Sequence, residues 1–102
     1  MHIVYILHTA EFDRYYIGET IDLVERLKEH NSGRYINSST KYADDWTIRL
    51  SFKVKDRMEA RKLEKYIKSM KSKKFIKKLI DDTDFQESFK QKVFDKYQIE
   101  IL

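Results

Sequence analysis

From Trp46 to Lys55 the chain alternates without a break: Trp46, Ile48, Leu50, Phe52 and Val54 are apolar, and Thr47, Arg49, Ser51, Lys53 and Lys55 are not. Side chains of a strand point alternately to opposite faces, so this period-two pattern specifies a half-buried strand. Such a strand needs a sheet with a covering layer. The N-terminus supplies candidate partners. His2 to His8 is rich in β-branched and aromatic residues and reads as a strand. Glu11, Phe12 and Asp13 make a polar turn, and Arg14 to Gly18 reads as a second strand. The short spacing makes an antiparallel hairpin the simplest connection. In the first strand Ile3, Tyr5 and Leu7 share one face.

The rest is helical in pattern. Thr20 is the expected N-cap of a helix running through Leu23, Val24 and Leu27 to about His30, with Asp22 in its first turn and Asn31-Ser32-Gly33 as the stop. Residues 34–45 are polar and irregular. Asp56 is placed to cap a helix whose stripe is Ala60, Leu63, Ile67 and Met70. Ser72 is placed to cap a shorter one carrying Phe75, Ile76, Leu79 and Ile80. After Asp81-Asp82, the spacing of Phe85, Phe89, Val93, Phe94 and Tyr97 predicts a last helix. The order β-β-α-β-α-α-α specifies an α+β fold, a small three-stranded antiparallel sheet with helices packed on it.

Composition narrows the class. A length of 102 residues fits a single core. The 14% aromatic content argues against disorder. There is no cysteine, which removes disulfides and thiolate metal sites. No apolar run is long enough for a membrane span or a signal peptide, so the cytoplasm is the expected location. The net charge of +4 is compatible with a polyanionic partner. The charge is uneven: between Arg61 and Lys78 the basic residues are interrupted by a single acid, Glu64. A solvated helix face and a phosphate-tracking surface are the two readings of that run.

A few side chains have the chemistry of a site. Glu64 lies beside Ala60 and Ile67 on the helical wheel, at the edge of the apolar stripe. A lone carboxylate there can hold Mg²⁺, which retains waters and needs only one or two protein carboxylates. The ordinary alternative is an ion pair with Arg61 or Lys68. Arg26 and His30, four apart, share a helix face. Arg can bridge phosphate oxygens and His can relay a proton, although cations near a helix C-terminus have an ordinary role too. Tyr5 and Tyr16 sit on neighbouring strands, where their phenols can converge. A tyrosine near an activated water can act as a base, and a buried tyrosine with one hydrogen bond is the commoner case. Gly18 leaves room for substrate or a following helix to approach.

In this order the residues resemble the GIY-YIG nuclease superfamily. Its first element corresponds to Ile3-Val4-Tyr5 and its second to Tyr16-Ile17-Gly18. The helix that follows matches in Arg26-Leu27-Lys28-Glu29-His30 with the trailing Asn31-Ser32-Gly33, and the later helix in Glu64-Lys65-Tyr66-Ile67-Lys68. The sequence is most similar to the small stand-alone bacterial members, which share the Val-Tyr-Ile-Leu opening and an Asp-Trp pair like Asp45-Trp46 before the third strand. The match runs from about Ile3 to Ile80, giving a nuclease-like domain over residues 1–80 and a helical extension of unassigned role over 81–102. The glycine of the first element is replaced by Ile3. No asparagine follows Asn37, so the role that an asparagine has after the metal-binding helix of some members is vacant.

The resemblance implies a DNA phosphodiester hydrolase using one divalent ion, Mg²⁺ or Mn²⁺, with DNA repair or recombination as the expected setting. Glu64 would be the metal ligand. Tyr5 and Tyr16 would line the site, one of them helping to deprotonate water. Arg26 would steady the phosphate, and His30 would assist proton transfer. Gly18, Lys28, Lys65, Lys68 and Lys71 are the expected substrate contacts. The rival expectation is a nucleic-acid-binding module with little or no cleavage. A monomer or weak homodimer is expected, since the tail's aromatics can cover the domain's own core or dock a second subunit.

Overall fold

A computed structural model describes residues 1–32, 40 and 42–102. The elements are β1 (His2–Thr9), β2 (Arg14–Thr20), α1 (Leu23–Ser32), β3 (Trp46–Val54), α2 (Arg57–Ser69), α3 (Lys73–Asp81) and α4 (Thr83–Tyr97). Their order is the one expected. The three strands form one antiparallel sheet in the order β2-β1-β3, so β1 is central. Both its faces are covered, and Val4, Tyr5, Ile6 and Leu7 are all at most 1% exposed.

The sheet therefore separates two apolar layers. On one face Val4, Ile6, Phe52 and Val54 pack against Ala60, Leu63 and Ile67 of α2, Ile76 and Leu79 of α3, Phe89 and Val93 of α4, and Ile99. On the other face Tyr5 and Leu7 join Trp46 and Ala43, with Leu23 and Leu27 of α1 against them. The tail aromatics are divided: Phe89 stacks between Phe52 and Tyr66, while Phe94 is exposed. The Leu102 N–H donates to the Lys53 carbonyl at 2.8 Å and ties the chain end to β3.

The strand with the clearest alternation is not one-sided. Register against β1 slips between Ile6 and Leu7: Ile6 faces Leu50, but Leu7 faces Ile48. Arg49 is thus the extra residue of a β-bulge, and it resets the alternation. Leu50, Phe52 and Val54 face the layer of α2 to α4. Trp46 and Ile48 face the layer of α1. The sequence pattern suggests a single face because an added residue is invisible to a count of alternating polarity.

Caps explain most of the helix boundaries. The Asp56, Ser72 and Asp82 side chains accept from the backbone N–H of Glu59, Phe75 and Phe85, respectively. At α1 the expectation needs correcting. Asp22, not Thr20, is the cap, accepting from the Glu25 N–H at 3.1 Å. Thr20 ends β2, and its hydroxyl accepts from the Asp22 N–H at 3.1 Å, shaping the turn. The helix also runs to Ser32, two residues past His30, with Asn31 helical. Gly33, residues 34–39 and Lys41 lie outside the described residues.

Candidate active site

The site forms on the sheet face covered by α1. Antiparallel pairing sets Tyr5 opposite Gly18 and Leu7 opposite Tyr16. The two tyrosine rings therefore lie side by side, 6.2 Å apart. Tyr15, one residue on, faces the other layer and packs against His8. The α1 helix brings His30 over the pair, 4.9 Å from the Tyr16 ring and 6.0 Å from the Tyr5 ring.

Gly18 is where the phenols pack most tightly. A Cβ there would lie 2.5 Å from Tyr5 Oη and 2.6 Å from its Cζ. The space above Gly18 is therefore filled by Tyr5. This changes the sequence reading, in which that space admitted substrate or a helix. The glycine is required by a side chain of its own sheet.

His30 is 1% exposed and uses both ring nitrogens. Nε2 lies 3.0 Å from Tyr5 Oη, and Nδ1 lies 2.9 Å from Thr40 Oγ1. Burial, with the Arg26 guanidinium one turn away, pushes its pKa down to about 4. At neutral pH the ring is uncharged, so it donates through one nitrogen and accepts through the other. The line Tyr5–His30–Thr40 is therefore a directional chain of hydrogen bonds. A helix-terminal cation, the ordinary reading of His30, is not what the fold contains. Arg26 sits one turn earlier on the same face, its Nε 3.3 Å from Glu29 Oε1.

Thr40 and Asn31 hold this arrangement; the sequence marks Asn31 only as part of a helix stop and of the family match, and Thr40 has no role there. The Thr40 carbonyl accepts from the Trp46 indole N–H at 3.2 Å. The Asn31 side chain bonds the Trp46 backbone twice, accepting from its N–H at 2.7 Å and donating to its carbonyl at 3.0 Å. The amide acts as a substitute strand partner that fixes the start of β3 to the end of α1. Asp45 accepts from the Thr9 hydroxyl and from the Glu11 N–H, and these bonds lower its pKa. Neither the hydroxyl of Thr40 nor the amide of Asn31 is marked by period or charge.

Glu64 reaches the site from the other layer. The α2 helix packs on the face opposite Tyr16, yet Lys68 Nζ lies 6.0 Å from the Tyr16 ring centroid, reaching past the edge strand β2. The same ammonium donates to Glu64 Oε1 at 2.7 Å. Tyr5, Tyr16, Arg26 and His30 thus gather directly, and Glu64 is joined to them through Lys68. Of the other expected contacts, Lys28 is exposed on α1 and Lys71 lines a groove beside β2. Lys65 lies beside Glu64 on one side and Tyr66, Ser69 and Tyr97 on the other.

Few side chains here could hold a cation. Among the described residues no three His, Cys, Asp or Glu side chains gather to make a protein cage. One carboxylate that already holds an ammonium fits Mg²⁺, whose shell remains mostly water and phosphate oxygen.

No curated protein and no solved structure matches the chain significantly. The family model described as the GIY-YIG catalytic domain matches residues 1–79, with Tyr5, Tyr16, Arg26, His30 and Glu64 all inside the match, and the chain belongs to that family.

Proposed function

We propose that the chain is a divalent-metal-dependent endonuclease that hydrolyses DNA phosphodiester bonds, with DNA repair or recombination as its setting. The family is one of endonucleases. The observation that carries the reading for this chain is the Tyr5–His30–Thr40 line beside Tyr16, with Arg26 one turn from the imidazole. A purely structural core rarely spends a buried, uncharged histidine and two phenols in one place.

The roles follow from exposure and charge. Tyr5 is fully buried and its hydroxyl is held by His30, so it positions. Tyr16 is only partly buried. In this reading Tyr16 takes the proton from the attacking water. The Lys68 ammonium lies 6.0 Å from the Tyr16 ring centroid. Arg26 supplies a planar pair of donors to the phosphate as negative charge grows. Glu64 would hold Mg²⁺ or Mn²⁺, which when bound polarises the phosphate and neutralises the leaving oxygen.

The test is cleavage of supercoiled plasmid and branched DNA with Mg²⁺ or Mn²⁺. Product should require metal and vanish in Glu64→Ala, and Tyr16→Phe should cut far more slowly than wild type. Cleavage that survives Glu64→Ala would refute the assignment. Salt-sensitive binding with no metal-dependent product would instead favour a binding module.

A further inference from the structure

An open groove of about 570 Å³ lies between the tip of the β1–β2 hairpin and the α2–α3 turn. It lies on the far side of β2 from Tyr16. We propose that this groove binds single-stranded DNA and leads it past the β2 edge to the cleavage site. The inference rests on the nuclease reading and adds a substrate class to it.

Charge argues for a polyanion. Arg14, Lys68, Lys71 and Lys73 line the groove, and the only acid among them is Asp13. Asp13 is already engaged: Lys73 Nζ donates to its carboxylate at 2.7 Å, and His8 Nε2 lies 2.9 Å from it. Its charge is offset within the wall, so Arg14 and Lys71 meet phosphates, and Lys68, which donates to Glu64, has further N–H groups to share.

The floor argues against a duplex. Tyr15, Ile17, Ile67 and Ile76 make it apolar. Phe12 at the hairpin tip, edge-on to Tyr42 at 5.0 Å, is still 44% exposed and outside both core layers. A duplex stacks its flat base faces inside and shows only backbone and groove edges, so it gains little from such a floor. Unstacked bases have flat apolar faces to bury against aromatic and aliphatic side chains, while a basic rim follows the backbone. β2 is an edge strand, so its outer side has no sheet neighbour. Continuity fixes the direction, because Lys68 belongs both to the groove and to the Glu64 pair beside Tyr16.

The experiment is fluorescence anisotropy of a labelled oligothymidylate and of a duplex of equal length, in EDTA so that nothing is cut. The single strand should bind more tightly. Three phosphate contacts predict a log–log salt slope near about −2, a loss of roughly twentyfold between about 50 and about 200 mM salt. Arg14→Ala and Lys71→Ala should each weaken single-strand binding several-fold and flatten the slope by about 0.7. Phe12→Ala should weaken single-strand binding without changing the slope. Lys92→Ala, on the exposed face of α4, should change nothing.

Equal binding of duplex and single strand, an effect of Lys92→Ala matching that of Lys71→Ala, or displacement of the oligonucleotide by polyglutamate as readily as by unlabelled oligonucleotide would each overturn the proposal. Failure of the nuclease reading is distinguishable: it shows as the absence of metal-dependent product in the cleavage assay, whereas anisotropy in EDTA reports binding by the groove alone.

Discussion

Replacing Gly18 by alanine should destabilise the fold through one side chain. The new methyl would sit 2.5 Å from Tyr5 Oη, 2.6 Å from Tyr5 Cζ and 3.0 Å from Tyr16 Cε2. A flexible surface side chain would swing away, but Tyr5 is fully buried and its hydroxyl is fixed to His30 at 3.0 Å. Overpacking of this kind costs about 1–3 kcal/mol. Breaking the Tyr5–His30 bond adds about 1 kcal/mol. Alanine recovers roughly 0.5–1 kcal/mol because the unfolded chain has less freedom. The net is about 2 kcal/mol, a fall in Tm of roughly 8–16 °C for a domain of this size. Thermal denaturation followed by circular dichroism gives the number. The decisive control is the same change in a Tyr5→Leu background, where both nearest atoms are gone. There Gly18→Ala should cost at least about 1 kcal/mol less, a coupling typical of residues in contact. An equal loss in both backgrounds, or no loss in the wild type, would refute the packing argument.

Four further outcomes are expected. His30 has a folded pKa of about 4 against 6.5 unfolded, so its neutral form favours folding: stability should be complete above about pH 6.5 and fall by on the order of 3 kcal/mol as pH drops to about 4. Denaturant melts across that range should show the slope in wild type and lose it in His30→Gln. Asn31→Ala removes both side-chain bonds to the Trp46 backbone; about 1–3 kcal/mol of stability should go with them, and the emission of the sole tryptophan should shift red. Lys68→Met removes the ammonium from Glu64, so calorimetric Mg²⁺ affinity without DNA should rise about twofold, in line with the small worth of an exposed pair. Leu63→Ala, at a position with no exposed surface against the sheet, should cost about 2–5 kcal/mol without altering metal affinity in the folded protein.

Element types were legible in the sequence because polarity repeats, caps and breakers act locally. Asp56 and Ser72 cap the helices expected of them, and the stripe Ala60, Leu63, Ile67 is buried as its spacing requires. What escaped depends on contacts between distant residues. Thr20 and Asp22 are both good cap residues, and only the end of β2 decides between them. That β1 is central and covered on both faces depends on β3 joining its free edge. In the site, Tyr5, Tyr16, Arg26, His30 and Glu64 stood out as polar or aromatic residues in apolar settings. Thr40 and Asn31 did not, since a hydroxyl and an amide in irregular or helix-terminal sequence have no pattern to violate. The charge state of His30 was likewise hidden, because it follows from burial and from the guanidinium one turn away.

The bulge at Arg49 means that one strand answers to two separate selections. Its first part, with Trp46, is judged by how well it frames the phenols and the imidazole. Its second part, with Leu50, Phe52 and Val54, is judged by how well it seats three helices. A surplus residue lets either half be revised without transmitting the change along the strand. Deletion shows the same independence: without Arg49, Ile48 still faces Leu7 and Leu50 still faces Ile6, so Trp46 keeps its layer and only the bend is lost. Substitutions at Arg49, which is exposed, and its deletion should both be tolerated, since the pairing on either side of it is set by β1 and not by the residue between.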